Sequence, residues 1–180
     1  NTESRRQEAV AAFAESELVL LCFPLYHHAM PGIVMTWLEM LEPLDPDRSV
    51  KLGFLVQSGL PEARQSRSVE RFLTRLPARL GCTYLGTMVR GGVEAMQFAP
   101  DFMFRRMRGT LVNLGRELAT TGQFDSETIA RLAGREVLPW WRIRFFLTMK
   151  AVGFADRSWN NLLKKNGAWA ERFDQPHAPR

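Results

Sequence analysis

The loop Pro24–Met30 has the residue types of a ligand-binding site. It follows a short apolar run, Leu18–Phe23, and precedes an apolar helix that Pro31 opens, which predicts a buried strand, a shaped loop and a helix in succession. Its Pro-x-Tyr core offers a rigid backbone and the flat aromatic face of Tyr26. Because ligands of open α/β sheets bind beyond the carboxyl ends of the strands, we expect a binding site here.

Two further loops leave the ends of predicted strands and could form other walls of the same crevice. The run Ser58–Glu62 follows the apolar strand Leu52–Gln57, and Gly91–Glu94 follows the strand Thr83–Arg90. Ser58-Gly59 is also typical of a simple turn, and no G-x-S-x-G elbow surrounds it, which sets aside a hydrolase. The glycine pair at 91 and 92 indicates either a tight turn or a close approach to a phosphate.

The side chains of these loops allow two interpretations each. Tyr26 could stack on a flat ligand or pack against the core. His27 and His28 are typical of exposed loop residues, and contact with a bound ligand is the alternative. Arg64 and Arg67 could attract a phosphate group or be solvated at the start of a helix.

The order of elements predicts a parallel sheet with helical crossovers. Strand, loop and helix occur twice before the third strand, so we expect right-handed connections. The second helix spans Glu62–Leu80, and Pro77 should kink it or end it early. From Pro100 onward the pattern is helical. We therefore predict one α/β domain, with a core over residues 1–99 and a helical C-terminal extension over residues 100–180 that packs on it.

Composition favours a globular protein of a reducing compartment. The 180 residues carry a net charge of +5 without a block of like charges, so we interpret the basic residues as a solvated surface and expect no nucleic-acid partner. Cys22 and Cys82 lie in or beside apolar strands, which predicts two buried thiols and a cytoplasmic location. No metal-ligand spacing is visible, and no run approaches the ~20 apolar residues of a membrane span.

The aromatic segment Trp140–Phe146 also has two interpretations. Trp140, Ile143, Phe146 and Leu147 form an apolar stripe of ordinary width, which favours packing on the sheet or against a dimer partner. The alternative is a membrane-surface helix with arginines on its polar face.

Several stretches resemble one known family when they are taken in order. They are Pro24-Leu25-Tyr26 with Pro31-Gly32, the strand and loop Gly53–Ala63, the stretch Gly81–Glu94, and the later runs Leu163–Ala168 and Arg172–Asp174. Together they are similar to the flavodoxin-like NAD(P)H-dependent oxidoreductases, the FMN reductase group. The resemblance extends from about Glu17 onward and implies a flavodoxin-like, doubly wound parallel sheet.

The resemblance implies a reductase that uses bound FMN, with NAD(P)H as co-substrate. Hydride would pass from the nicotinamide to the flavin and on to a small-molecule acceptor such as a quinone or free flavin, in a homodimer. The cofactor carries this chemistry, so no catalytic side chain is expected. The residues expected to bind the cofactor are Pro24, Leu25, Tyr26, His27, His28, Met30, Ser58, Gly59, Glu62, Gly91, Gly92 and Glu94.

One part of the family pattern is not found in this sequence. Family members begin with a strand and a Ser/Thr-rich loop that holds the FMN phosphate through backbone N–H groups. Nothing before Glu17 resembles that strand and loop, so we expect a partial sheet. The alternative function is a non-catalytic flavodoxin-like binding or assembly module, which the lack of a phosphate loop would favour.

Overall fold

A three-stranded parallel sheet forms the centre of the fold. The computed structural model describes residues 2–97 and 100–174, and its strands are β1 (Leu18–Pro24), β2 (Lys51–Gln57) and β3 (Thr83–Arg90). The spatial order is β1-β2-β3, and both neighbouring pairs are parallel. This is the order of the last three strands of a flavodoxin-like 2-1-3-4-5 sheet, and it confirms the predicted α/β class.

Seven α-helices accompany the sheet within the described residues. They are α1 (Thr2–Glu15), α2 (Gly32–Glu39), α3 (Arg67–Arg79), α4 (Arg105–Thr121), α5 (Ser126–Ala133), α6 (Trp140–Ala151) and α7 (Phe154–Lys165). Gly122 ends α4 with a left-handed φ of 68°, which is the conformation that a C-terminal glycine supplies at low cost. The extended tail predicted from Phe173 lies outside the described residues beyond residue 174.

The first face of the sheet is covered by α1, α2 and α3. Leu52, Phe54 and Val56 alternate along β2 toward this face, and all three are buried. They pack with Leu73 of α3 and Phe13 of α1 in one continuous cluster. Burial of such side chains stabilises the fold by about 1.5–3 kcal/mol each, so this cluster is the main support of the sheet.

The second face of the sheet is covered by α4 and α5. Met88 of β3 packs there against Met107 and Leu114 of α4 and Leu132 of α5, and Leu55 of β2 borders the same cluster. Helices on both faces make the sheet doubly wound, as predicted. The loops at the strand ends are thereby left between two packed layers.

The prediction of a buried first strand is wrong for one face of β1. Leu18 and Leu20 are about 40 % exposed and Cys22 is exposed, whereas Phe23 is buried. The cause is that β1 is an outer strand of the described sheet, and the second-face cluster contains side chains of β2 and β3. The prediction of two buried thiols is therefore also wrong, because Cys82 is only half-buried. Partial burial raises the pKa of both thiols, which makes them weak nucleophiles at neutral pH.

The helix α3 continues past Pro77 instead of ending before it. The segment starts as a 3₁₀ turn over Ala63–Ser66, and α3 ends at Arg79, two residues beyond the buried proline. Only the last turn of α3 follows Pro77, so the backbone hydrogen bond that its missing N–H would make is lost near the end of the helix, where the loss costs little. Phe72 of α3 is 44 % exposed, because consecutive helical residues point about 100° apart and the buried Leu73 occupies the core position.

Two compact units divide the chain between Val137 and Leu138. The first unit contains the sheet with α1 to α5, and the second contains α6 and α7. The predicted division near residue 100 marks an earlier change, from strands to helices, and as a domain assignment it stays a prediction.

Two carboxylates of the first unit have lowered pKa values, from which we predict a loss of stability in acid. Thr128 donates side-chain and backbone hydrogen bonds to Asp125, the N-cap of α5, and these bonds hold the pKa of Asp125 below its ordinary value. Arg67 of α3 donates to Glu136 and lowers the pKa of that carboxyl in the same way. A carboxyl whose pKa is lowered in the folded state stabilises the protein at pH values above its unfolded pKa, and this stabilisation is lost as the pH falls through its folded pKa.

We therefore expect the free energy of unfolding to be constant above about pH 5 and to fall as these two groups protonate below it. Urea unfolding of the wild type and of the double variant Asp125→Asn, Glu136→Gln at pH 7, 5 and 3.5 measures this. The double variant should be less stable at pH 7 and less dependent on pH. An equally steep pH dependence in both proteins would show that other groups cause it.

Candidate functional site

The three strands end at the same level of the sheet. Pro24 pairs with Gln57, and Gln57 pairs with Arg90, so the last residues of the three strands are direct neighbours. The ladder extends by one residue into two loops, since Leu25 N–H donates to the Gln57 carbonyl at 2.8 Å and Ser58 N–H donates to the Arg90 carbonyl at 2.9 Å. All three following loops are therefore held around one point, where α/β sheets bind ligands.

The loop after β1 forms a tight turn with two histidines at its tip. Tyr26 and Ala29 exchange both backbone hydrogen bonds at 3.0 Å, and His27 and His28 have φ values of 49° and 64°. Two successive left-handed residues define a type I′ turn, which fixes the direction of the loop closely. Tyr26 is 64 % exposed, so its ring is presented at the surface and not packed in the core.

The turn also leaves backbone donors available. Among the described residues, the N–H groups of His27, His28 and Gly59 donate no hydrogen bond to another residue. All three residues line the same cavity. Such groups need partners, and water or a ligand with carbonyl or ring-nitrogen acceptors supplies them.

The loops after β2 and β3 are tied to each other. Ser58 is buried, its hydroxyl donates to the Leu60 carbonyl at 3.0 Å, and its own carbonyl accepts the N–H of Val93 at 3.1 Å. Gly92 N–H donates to the Leu60 carbonyl at 3.0 Å. The hydroxyl of Ser58 therefore shapes the turn, which agrees with the interpretation of Ser58-Gly59 as a turn and gives no sign of a nucleophile.

A crevice with a volume of about 870 Å³ opens between these loops. Eight of the twelve residues expected to bind a cofactor line it: Pro24, Leu25, Tyr26, His27, His28, Ser58, Gly59 and Glu94. The other four do not line it: Met30, Glu62, Gly91 and Gly92. The structure thus brings together the first loop, the start of the second and the end of the third.

The positions of these four residues explain why they do not line the crevice. Met30 packs against the first-face cluster, and Glu62 lies at the N-terminal end of the 3₁₀ turn before α3. Gly91 is buried against the backbone of Leu60 and Pro61, and Gly92 adopts a φ of 73° beside Pro61. The two glycines therefore permit a tight turn, which was one of the two interpretations of this pair.

Six lining residues were not singled out from the sequence. They are Gln57, Leu60, Gln65, Val93, Met96 and Gln97. Gln57 could have been found, because the last residue of a central strand between two site loops must face the crevice. Gln65, Met96 and Gln97 reach it through 3₁₀ turns that the sequence pattern does not predict.

The crevice has little positive charge. No lysine or arginine lines it within the described residues, and Glu94 is its acidic group. Arg67, considered as a phosphate ligand, is engaged elsewhere, because it forms ion pairs with Glu136 and Glu70. No group of three or more metal-binding side chains occurs in the part of the chain that the structure describes.

Comparisons with known proteins give one partial likeness. No protein-family model matches the chain, and no curated protein matches it. A solved structure described as an NADPH-quinone reductase from P. pentosaceus is 16 % identical, with a TM-score of 0.41, over 58 % of this chain and 68 % of that chain. The fold assignment rests on the sheet order, and the site rests on the geometry of its loops.

The left-handed turn predicts unequal effects of two substitutions at one position. Glycine adopts the φ of 64° found at His28 without strain, whereas a β-branched residue rarely does. We expect His28→Gly to stay within about 0.5 kcal/mol of the wild type and His28→Val to be destabilised by about 1–2 kcal/mol. Urea unfolding measures both, and equal stability of the two variants would contradict the type I′ turn.

Proposed function

We propose that this protein is an NAD(P)H-dependent oxidoreductase that holds the isoalloxazine ring of FMN in the crevice. Hydride would pass from NAD(P)H to the flavin, and electrons would pass on to a quinone, free flavin or a similar small acceptor. The observation that carries the proposal is the meeting of three level strand ends, where rigid loops surround one cavity with an exposed aromatic ring and unpaired N–H donors. Both of the first two loops belong to the stretches that resemble FMN reductases.

The crevice fits a planar tricyclic ring in size and in its apolar walls. Its volume of about 870 Å³ lies within the range of small-molecule sites, about 300–1,000 Å³. Leu25, Leu60 and Val93 supply apolar surface, and the exposed ring of Tyr26 supplies a flat face. Aromatic faces of this kind stack favourably on heterocyclic rings.

The polar groups of the crevice match the edge of a flavin. The free N–H groups of His27, His28 and Gly59 can donate to its carbonyl oxygens and ring nitrogens. The Glu94 carboxylate can accept from its imide N–H. A bound flavin supplies the hydride chemistry, and the residues of this chain bind the ring, orient it and exclude water from one side of it.

No lysine or arginine of the described lining can bind the phosphate of FMN, so this lining fits the isoalloxazine ring better than the phosphate. A phosphate is normally held by backbone N–H groups at a helix start or by basic side chains. We infer that the crevice recognises the ring and that the phosphate contributes little to binding by this chain.

Oxidation of NADH and NADPH by the purified protein with added FMN and a soluble quinone tests the proposal. We expect turnover that depends on the flavin and that Tyr26→Ala reduces about tenfold at subsaturating FMN, because base–aromatic stacking is worth about 1–3 kcal/mol. Phe72→Ala removes an exposed ring from α3 and should leave the rate unchanged. If Tyr26→Ala turns over as fast as the wild type at subsaturating FMN, the flavin does not bind against Tyr26.

The same assays distinguish the reductase from the alternative function, a non-catalytic binding or assembly module. Bound flavin without oxidation of either nucleotide would favour a non-catalytic binding or assembly module. If the protein neither binds flavin nor oxidises either nucleotide, the proposed site is contradicted as well.

A further inference from the structure

The net positive charge of the protein is concentrated in its second unit. From Leu138 to Arg180 the sequence has eight lysines and arginines against three acidic residues, whereas the residues before Leu138 contain sixteen of each sign. The whole net charge of +5 therefore belongs to the segment that contains α6 and α7. The interpretation of the basic residues as a scattered, solvated surface does not account for this distribution.

The helix α6 has no buried residue, although most of its side chains are apolar. Trp140 is 70 % exposed and Met149 is half-buried, and five more large apolar residues are at least 43 % exposed, namely Trp141, Ile143, Phe145, Phe146 and Leu147. They lie on all sides of the helix and not in the single stripe predicted from the sequence. A helix that is apolar all round is normally covered by protein or lipid, so α6 requires a partner.

The length of α6 limits what that partner can be. Twelve helical residues extend about 18 Å, which is shorter than the ~30 Å hydrocarbon core of a bilayer. Among the described residues, no helix combines the length and apolar character needed to cross a membrane. A lipid partner would therefore be contacted at its surface.

The basic side chains of this unit lie over aromatic rings. The Arg142 guanidinium is 5.2 Å from the Trp141 ring centre, and the Arg144 guanidinium is 5.9 Å from that of Trp140. Arg172 lies over Trp169 at 4.0 Å. Tryptophan and arginine together are typical of segments at the membrane interface, where the rings enter the headgroup region and the cations contact phosphates.

Charge decides between lipid and a second copy of the chain. The helix α6 contains Arg142, Arg144 and Lys150 and no acidic residue. Two such helices in contact would bring six like charges together with nothing in α6 to neutralise them. An anionic lipid surface covers the same apolar side chains and also supplies the opposite charge.

We propose that α6, with the basic residues that follow it, binds the surface of anionic phospholipid membranes. The aromatic side chains of α6 enter the boundary between headgroups and acyl chains, and the arginines and lysines contact lipid phosphates. This surface is independent of the crevice, and it would bring the protein to a bilayer without spanning it.

Flotation of the purified chain with phosphatidylcholine vesicles, with or without 30 mol% phosphatidylglycerol, tests the proposal. We expect at least tenfold stronger partition to the anionic vesicles. Tryptophan emission should shift to the blue on binding, because four of the five tryptophans follow residue 138. Equal partition to both vesicle types, or none to either, would overturn the proposal.

Matched variants connect the binding to α6. The double variant Trp140→Ser, Trp141→Ser should reduce anionic partition at least tenfold, whereas Phe102→Ala, an equally exposed ring in the first unit, should not. Arg142→Gln, Arg144→Gln, Lys150→Gln should weaken binding more than the same change at Arg71, Arg75 and Arg79 of α3. Partition that survives the α6 changes, or a dimer that sedimentation detects and the tryptophan variant abolishes, would overturn the proposal.

Discussion

Gly91→Ala is expected to destabilise the protein by about 3 kcal/mol, because it forces two backbones apart. A Cβ at Gly91 would lie 2.5 Å from the Leu60 carbonyl oxygen and 2.8 Å from the Pro61 carbonyl carbon. Backbone atoms cannot move aside as a flexible side chain can. The hydrogen bond from Gly92 to Leu60 beside this contact would be strained or lost, and it joins two walls of the crevice.

Urea unfolding measures this effect, and Gly109→Ala is its control. Gly109 lies inside α4, and apart from its chain neighbours and the backbone of its own helix, no described atom lies within 4 Å of the position that a Cβ would occupy there, so alanine should stabilise by about 0.5–1 kcal/mol. The same chemical change thus has opposite signs at the two sites. A Gly91 variant within about 0.5 kcal/mol of the wild type would contradict the close approach of these loops.

Gly59→Val should weaken flavin binding at least tenfold, about 1.4 kcal/mol, with little effect on folding. The first carbon of the new side chain would lie 2.7 Å from Oε2 of Glu94. The Glu94 carboxylate is the end of a flexible side chain and can move, so the protein should remain folded. The movement displaces the acidic group of the crevice, and the two methyl groups occupy space proposed for the ring.

A fluorescence titration with FMN, together with urea unfolding, separates binding from stability in this variant. Gly32→Val, at the start of α2, is the matched control, because no described atom beyond its chain neighbours and its own helix backbone lies within 4 Å of its Cβ position; this variant should bind flavin as the wild type does. Undiminished affinity in the Gly59 variant would mean that the ring lies outside the crevice. A large loss of stability would instead show that the loop after β2 cannot tolerate a side chain.

The sheet and the position of the crevice could be predicted because both depend on local sequence. Apolar runs that stop at Pro24, at Ser58 and at Gly91 define three strands and the loops that follow them. In a parallel sheet such loops meet at one edge, so eight of the expected residues share a crevice. The backbone φ values of His27 and His28 carry no comparable sequence signal, because residues other than glycine seldom adopt this conformation.

The errors concern contacts between residues that are far apart in the sequence. An unbroken apolar run predicts a strand covered on both faces, but exposure of Leu20 and Cys22 depends on what packs beside β1. The contact of Gly91 with the backbone of Leu60 could not be predicted, because nothing in the neighbouring sequence reveals it. The single apolar stripe predicted for α6 did not account for the large apolar residues on its other sides, such as Trp141 and Phe145.

A difference absorption titration of the purified protein with FMN and with riboflavin tests the central claim most directly. If the crevice holds the isoalloxazine ring, both flavins bind at one site with dissociation constants within about threefold of each other, because no basic residue of the described lining faces a phosphate. Both spectral shifts should also weaken in Gly59→Val. If neither flavin changes its spectrum, the crevice is not a flavin site.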